Sequence, residues 1–201
     1  MGSWAVRVFS LLVICGLAIS LASCGPRRLS AEDYQELVIH TLRGEGDEKG
    51  LPLPGLKPAI DHLLAALSCV EVDCHLPDEF SYIGDVAELV EIVAADYRGK
   101  ICDKQVHPPR KMEDDHRLIC ESLDEMRKAA DMMKITARLA AQLLSQESTA
   151  PELMSKNYSA KLIEHERSLI KVLQNLRGIT WLNRLFEEET LQSHGRSPGG
   201  K

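Results

Sequence analysis

Apolar positions recur along this chain at intervals of three and four, the spacing that lines one face of an α-helix. The clearest run is Ile119, Leu123, Met126, Ala130, Met133, Ala137, Ala140 and Leu144, spaced 4, 3, 4, 3, 4, 3, 4 with no Gly or Pro between them. It predicts one long helix with a single buried seam, ending near Pro151. A second long helix is expected from about Ser159 to Glu189, with Leu162, Leu169, Leu173, Leu176, Ile179, Leu182 and Phe186 on one face. Gly178 weakens it locally, at about 1 kcal/mol.

Three shorter helices are expected before these. Ser30 offers an N-cap oxygen to the first, Glu32 and Asp33 complement its positive dipole end, and Leu37, Val38, Thr41 and Leu42 form its stripe as far as Gly44. The run GEGDEKGLPLPG, residues 44–55, then forbids a continued helix. Pro58 suits the first turn of the second helix, which would bury Ile60, Leu63, Leu64 and Leu67. Pro77-Asp78-Glu79 reads as a turn, and Asp85 with Glu88 reads as the start of a third helix carrying Val86, Leu89, Val90 and Val93 and stopped by Gly99. The stretch KICDKQVHPPRKMEDD reads as a loop, because Pro108 and Pro109 remove amides and restrict the residue before them. The expected fold is all-α, a bundle of about five helices, two of them long, over residues 31–190, with a disordered tail over 191–201.

The first residues follow a different pattern. One charge, Arg7, precedes the apolar run VFSLLVICGLAISL, and small residues follow at Ser20, Ala22 and Ser23, the layout of a secretory signal peptide over residues 1–22. The run is short for a membrane span, so no transmembrane segment is expected in the mature chain, which would be secreted. Leu21-Ala22-Ser23-Cys24 also matches a bacterial lipobox, in which Cys24 would carry lipid and anchor the protein. Residues 23–30 form an N-terminal segment in which Arg27-Arg28 offers a dibasic processing sequence.

Composition narrows the function classes. Acidic residues outnumber basic ones, 30 to 24, and loss of Arg7 widens the gap, which argues against a general nucleic-acid binder. No G-x-S-x-G, H-E-x-x-H, glycine-rich phosphate loop or EF-hand spacing occurs, so the chain is expected to be non-enzymatic, with no cofactor and no metal. His165 reads as a tolerated helical histidine, and Met126, Met132 and Met133 read as core.

The cysteines carry the remaining chemistry. In an exported chain Cys69, Cys74, Cys102 and Cys120 are disulfide candidates, and Cys24 is left free, lipidated or intermolecular. Both sequential and crossed pairings of the four are open. Cys69, Cys74 and His75, completed by His116 and Cys120, form a competing zinc reading, but exported thiols oxidise and the C-x4-C spacing is not a compact zinc spacing. A redox dithiol is disfavoured because Cys69 lies at a helix C-terminal end, where the dipole opposes a thiolate. Asn157-Tyr158-Ser159 is an N-glycosylation sequon.

Two resemblances to known families rest on particular segments of the chain. HLLAAL at 62–67, AELVEIVAADYRGKIC at 87–102, the VHPPRK that follows and SLIKVLQNLRG at 168–178 keep the order and rough spacing seen in the vertebrate family with sequence similarity 180. The chain resembles that family over somewhat more than half of its mature length, departing at Cys69, Cys74 and Cys120. The resemblance implies a small secreted helical protein without an established activity, and it carries no functional residues over; the chain itself is expected to act by binding a protein partner. CVEVDCHLPDEF, followed by a second cysteine pair leading into a long helix, looks like the long-chain four-helix cytokines of the granulocyte colony-stimulating factor and interleukin-6 type. That likeness implies two sequential disulfides and a ligand for a cell-surface receptor. LPLPGLKP, which interrupts the first long helix, departs from it.

Overall fold

Each helix begins and ends where local chemistry allows. The computed structural model describes residues 28–44, 53–72, 76–146 and 151–186. Among these residues lie α1 (Ala31–Arg43), α2 (Leu56–Val72), α3 (Pro77–Ile101), α4 (Glu113–Ser145) and α5 (Pro151–Arg177), a single 3-10 turn at Arg110–Met112 ahead of α4, and no strand. The all-α expectation is met, and α4 and α5, of 33 and 27 residues, are the two long helices. The signal peptide, Cys24, Cys74 and the tail over 191–201 lie outside the described residues.

Ser30 caps α1 as its pattern suggests, its hydroxyl accepting from the Asp33 amide at 3.1 Å. Gly44 closes the helix in the left-handed region at φ 77°, its amide reaching the carbonyls of His40 and Thr41. A β-carbon on Gly44 would lie 2.6 Å from the Leu53 carbonyl oxygen, and one on Gly55 would lie 2.8 Å from that of Arg43. The end of α1 is therefore pressed backbone to backbone against the entry to α2. Tyr97 of α3 pins the same corner, its hydroxyl donating to the Pro54 carbonyl at 2.7 Å.

Four boundaries differ from the pattern-based expectation. α3 starts at Pro77 instead of Asp85: Pro77 takes the first helical position, where no amide is needed, and the Glu79 carboxylate accepts the Leu76 amide at 2.9 Å. It also runs through Gly99, an exposed site where the missing side chain costs only propensity, to Ile101. α5 starts earlier, at Pro151, and stops at Arg177. From there the backbone continues in tighter turns, with Ile179 bonding to Leu176, Leu182 to Ile179 and Leu185 to Leu182, each three residues back. Gly178 marks the change, and Ile179, Leu182 and Phe186 are still buried beyond it.

Packing follows the seams. Ile119, Leu123, Met126, Ala130, Met133, Ala137 and Ala140 of α4 are all buried, with Leu144 half-buried at the end. They meet Phe80, Ile83, Ala87, Val90 and Ala94 of α3 on one side and Leu162, Leu169 and Leu173 of α5 on the other, within one continuous core. Along the flank of the antiparallel α3–α4 pair, Arg138 pairs with Asp85 and Glu88, Lys134 with Glu91, and Arg98 with Asp124. Asp85 and Glu88, expected at a helix start, instead lie two turns in and serve this flank. Gly84 lets the two helices approach, since a β-carbon there would meet Arg138 Cγ at 3.1 Å. α2 packs on α3 and α5 and closes an up-down-up-down arrangement with short connections, while α1 lies against α2 and α3. Among the described residues no helix is long and apolar enough to cross a membrane.

Candidate functional site

One end of the bundle brings Tyr34, His116, Trp181 and the Cys102–Cys120 pair together. Cys102 follows the last turn of α3 and Cys120 lies two turns into α4; a disulfide joins them across 18 residues, with a Cα–Cα distance of 5.9 Å. The bridge ties down the proline loop. That loop also binds the chain ahead of α1, through the Leu29 amide on the His107 carbonyl at 3.0 Å and Arg28 on the Pro108 carbonyl at 3.3 Å. Arg28 further pairs with Glu113, and this contact holds the Glu113 carboxyl below its usual range.

His116 stands on α4 one turn before Cys120. Its Nδ1 lies 2.9 Å from the Tyr34 hydroxyl, and its Nε2 lies 3.7 Å from Cys120 Sγ. Tyr34 is fully buried, and that burial, with the Asp115 charge beside it, raises its pKa so that the phenol stays neutral. The disulfide sulfur of Cys120 has no proton and can only accept, so the contact places the imidazole proton on Nε2, and Nδ1 accepts from the Tyr34 hydroxyl. Trp181, in the turns beyond α5, closes the cluster: its indole donates to Asp115 at 2.8 Å and its ring meets Tyr34 edge-on at 6.1 Å.

Burial lowers the pKa of His116, so the neutral ring is the folded form. The sign follows directly. Above the ordinary imidazole value of about 6.5 neither folded nor unfolded chain binds the proton, whereas below it the unfolded chain takes the proton first and stability falls. The thermal midpoint is expected to drop between pH 7 and pH 5, before the carboxylates of Asp124 and Glu113, whose pKa values are lowered by Lys128 and Arg28, begin to protonate. A His116→Phe chain should show a flatter response over that interval in a calorimetric pH series. An unchanged slope would mean that other groups set it.

The predicted cysteines divide plainly. Cys102 and Cys120 pair with one another, the sequential choice, and this excludes crossed pairing between the two loops. Cys69, half-buried in the last turns of α2, is also disulfide-bonded, to a partner outside the described residues. Non-reducing peptide mapping is expected to join Cys69 to Cys74, and a Cys69–Cys24 peptide would overturn that assignment. With Cys120 oxidised, its pairing with His116 becomes an N–H···S contact instead of two zinc ligands. Among the described residues no group of three or more His, Cys, Asp or Glu could hold a metal ion. Asn157 is exposed on α5, but the Ser159 hydroxyl of its sequon is buried without a hydrogen-bond partner, so attachment of a glycan would have to precede folding of this helix.

A second feature lies on the opposite face of α4. Met132, Ile135 and Leu139 are 47%, 44% and 45% exposed, and their spacing of three and four sets them in one outward stripe. Met132 was expected in the core with Met126 and Met133; the helical turn carries it outward while its two neighbours stay buried. Beside the stripe runs an open groove of about 360 Å³ between α4 and α5, where Met132, Ala129 and Val172 form an apolar floor and Glu125, Lys128, His165 and Lys171 form the rim. The half-buried His165 is thus a groove residue. Periodicity exposed the inner seam but hid this outer one, whose signal was present as Glu121, Glu125, Lys128, Met132, Ile135 and Leu139 at the same alternating spacing. The chain matches no protein-family model, no curated protein and no solved structure.

Proposed function

We propose that this chain is a secreted, non-enzymatic helical protein that acts by binding a protein partner along the outer face of α4. The carrying observation is the stripe of Met132, Ile135 and Leu139, three large apolar side chains each nearly half exposed beside a groove with a charged rim. Export is supported by the oxidised state of Cys69, Cys102 and Cys120 and by the leader-like pattern of residues 1–22. The likeness to the family with sequence similarity 180 points the same way.

The purified protein should bind cell surfaces saturably. Ile135→Asp is expected to weaken that binding about tenfold or more, the loss typical of an apolar anchor at the centre of an interface, with circular dichroism and thermal midpoint unchanged. Equal binding by the variant, or no saturable binding on any cell type, would remove the proposal.

A cytokine-like receptor ligand is the second reading. The sequential Cys102–Cys120 bridge favours it, since that likeness implies sequential disulfides. The short connections between successive antiparallel helices count against it, because cytokine bundles run up-up-down-down with long crossovers. A lipid anchor at Cys24 is the third reading, and an acyl mass on the N-terminal peptide would establish it.

A further inference from the structure

The half-buried Cys102–Cys120 bridge is asymmetric in its surroundings. A surface cavity of about 480 Å³ lies against Cys102, lined also by Arg98, Gly99, Asp103, Lys104 and Gln105. Its charges are Lys104, Asp103 and Arg98, the last shared with Asp124 at 3.6 Å, and Asp103 is held in place by accepting the Gln105 amide at 2.9 Å. Cys120 instead faces His116, whose Nε2 lies 3.7 Å from its sulfur and whose proton is kept there by Tyr34 on the opposite nitrogen. A thiolate approaching one sulfur of a disulfide expels the other, and the rate rises as the departing sulfur is better stabilised.

We propose that this bridge is a site of thiol–disulfide exchange: a small anionic thiol of the glutathione class, held by Arg98 and Lys104, attacks Cys102 Sγ while His116 hydrogen-bonds the departing Cys120 sulfur. The attacking thiol first gives its proton to water. Its sulfur then forms a bond to Cys102 Sγ, the Cys102–Cys120 bond breaks, and the electron pair leaves on Cys120 Sγ, which takes up a proton from water. The products are a mixed disulfide at Cys102 and a thiol at Cys120, with no net oxidation. A second molecule of the same thiol, attacking the mixed disulfide, leaves both cysteines reduced and releases the small disulfide. Two carboxylates and one ammonium on such a thiol complement Arg98, Lys104 and Asp103. Opening the bridge frees the loop that carries His107 and Pro108, and with it the anchorage of the chain ahead of α1.

The test incubates the folded protein with reduced glutathione, quenches in acid, alkylates free thiols, and locates adducts by intact mass and peptide mapping. One glutathione is expected on Cys102, with Cys120 alkylated. Lys104→Glu, a change at an exposed loop residue, should slow the reaction with glutathione about tenfold, the worth of one charge-assisted contact, and leave the rate with neutral 2-mercaptoethanol unchanged. His116→Phe keeps a ring against Tyr34 but loses the N–H, and should slow both thiols about tenfold. If that variant fails to fold, Lys104→Glu decides alone. An adduct on Cys120, or rates with glutathione that Lys104→Glu does not change, would overturn the proposal.

Discussion

Replacing Cys102 and Cys120 together by alanine is expected to lower the free energy of unfolding by about 3 kcal/mol, the chain-entropy value for a loop of this length. The bond closes 18 residues that include two consecutive prolines and the entry to α4, a segment with little core of its own to hold it. Without it, the loop's attachment rests on Val106 and Met112 against the core and on the two contacts to the segment ahead of α1. Alanine keeps the half-buried sites apolar, so the loss reports the cross-link and not an orphaned thiol. In a domain of this size the thermal midpoint should fall by roughly 6–12 °C. A fall of under about 2 °C by calorimetry would mean that the loop is already fixed by its other contacts.

Gly44→Val is expected to cost at least as much. The residue sits at φ 77°, where a branched side chain is strained by about 1–3 kcal/mol, and the new β-carbon would meet the Leu53 carbonyl at 2.6 Å and the Gly55 amide at 2.9 Å. Neither contact is the flexible tip of a side chain. Relief requires α1 and the start of α2 to move apart, which disturbs the Tyr97–Pro54 hydrogen bond and the Leu42 and Leu56 packing beside it. The summed effect is about 3 kcal/mol or more, read as a shift in the urea midpoint at constant slope. Gly99→Ala is the internal control. Nothing lies within 4 Å of a β-carbon there, and alanine is the better helix former, so that change should stabilise the protein by about 0.5–1 kcal/mol.

Much of this architecture is legible in one dimension because burial is one-sided. The α4 seam could be named residue by residue since a helix packed on two partners repeats its inner face every seven positions. Helix ends were harder to place. The start of α3 depends on a glutamate reaching back to the Leu76 amide, with no side-chain oxygen at the capping position itself. The end of α5 depends on how far the seam continues after the backbone tightens at Gly178, and apolar spacing of three and four fits both conformations. The Tyr34, His116 and Trp181 cluster was not legible at all: its members lie 82 and 66 positions from their hydrogen-bond partners, and no periodicity links them. Cysteine pairing was open for the same reason until Cys102 and Cys120 were seen on facing ends of adjacent helices.

The order of the helices also bears on how fast the chain can fold. α2 with α3, α3 with α4 and α4 with α5 are neighbours along the chain as well as in space, so most of the core forms across short loops. Proteins built this way have low contact order and fold in microseconds to milliseconds. The exceptions are the closure of α2 against α5 and the docking of Tyr34 on His116, which bring together segments far apart in sequence. The hairpin of α3 and α4 should therefore act as the nucleus, with α1 joining after the rate-limiting step. Substitutions around Tyr34 would then speed unfolding and leave the folding rate nearly unchanged.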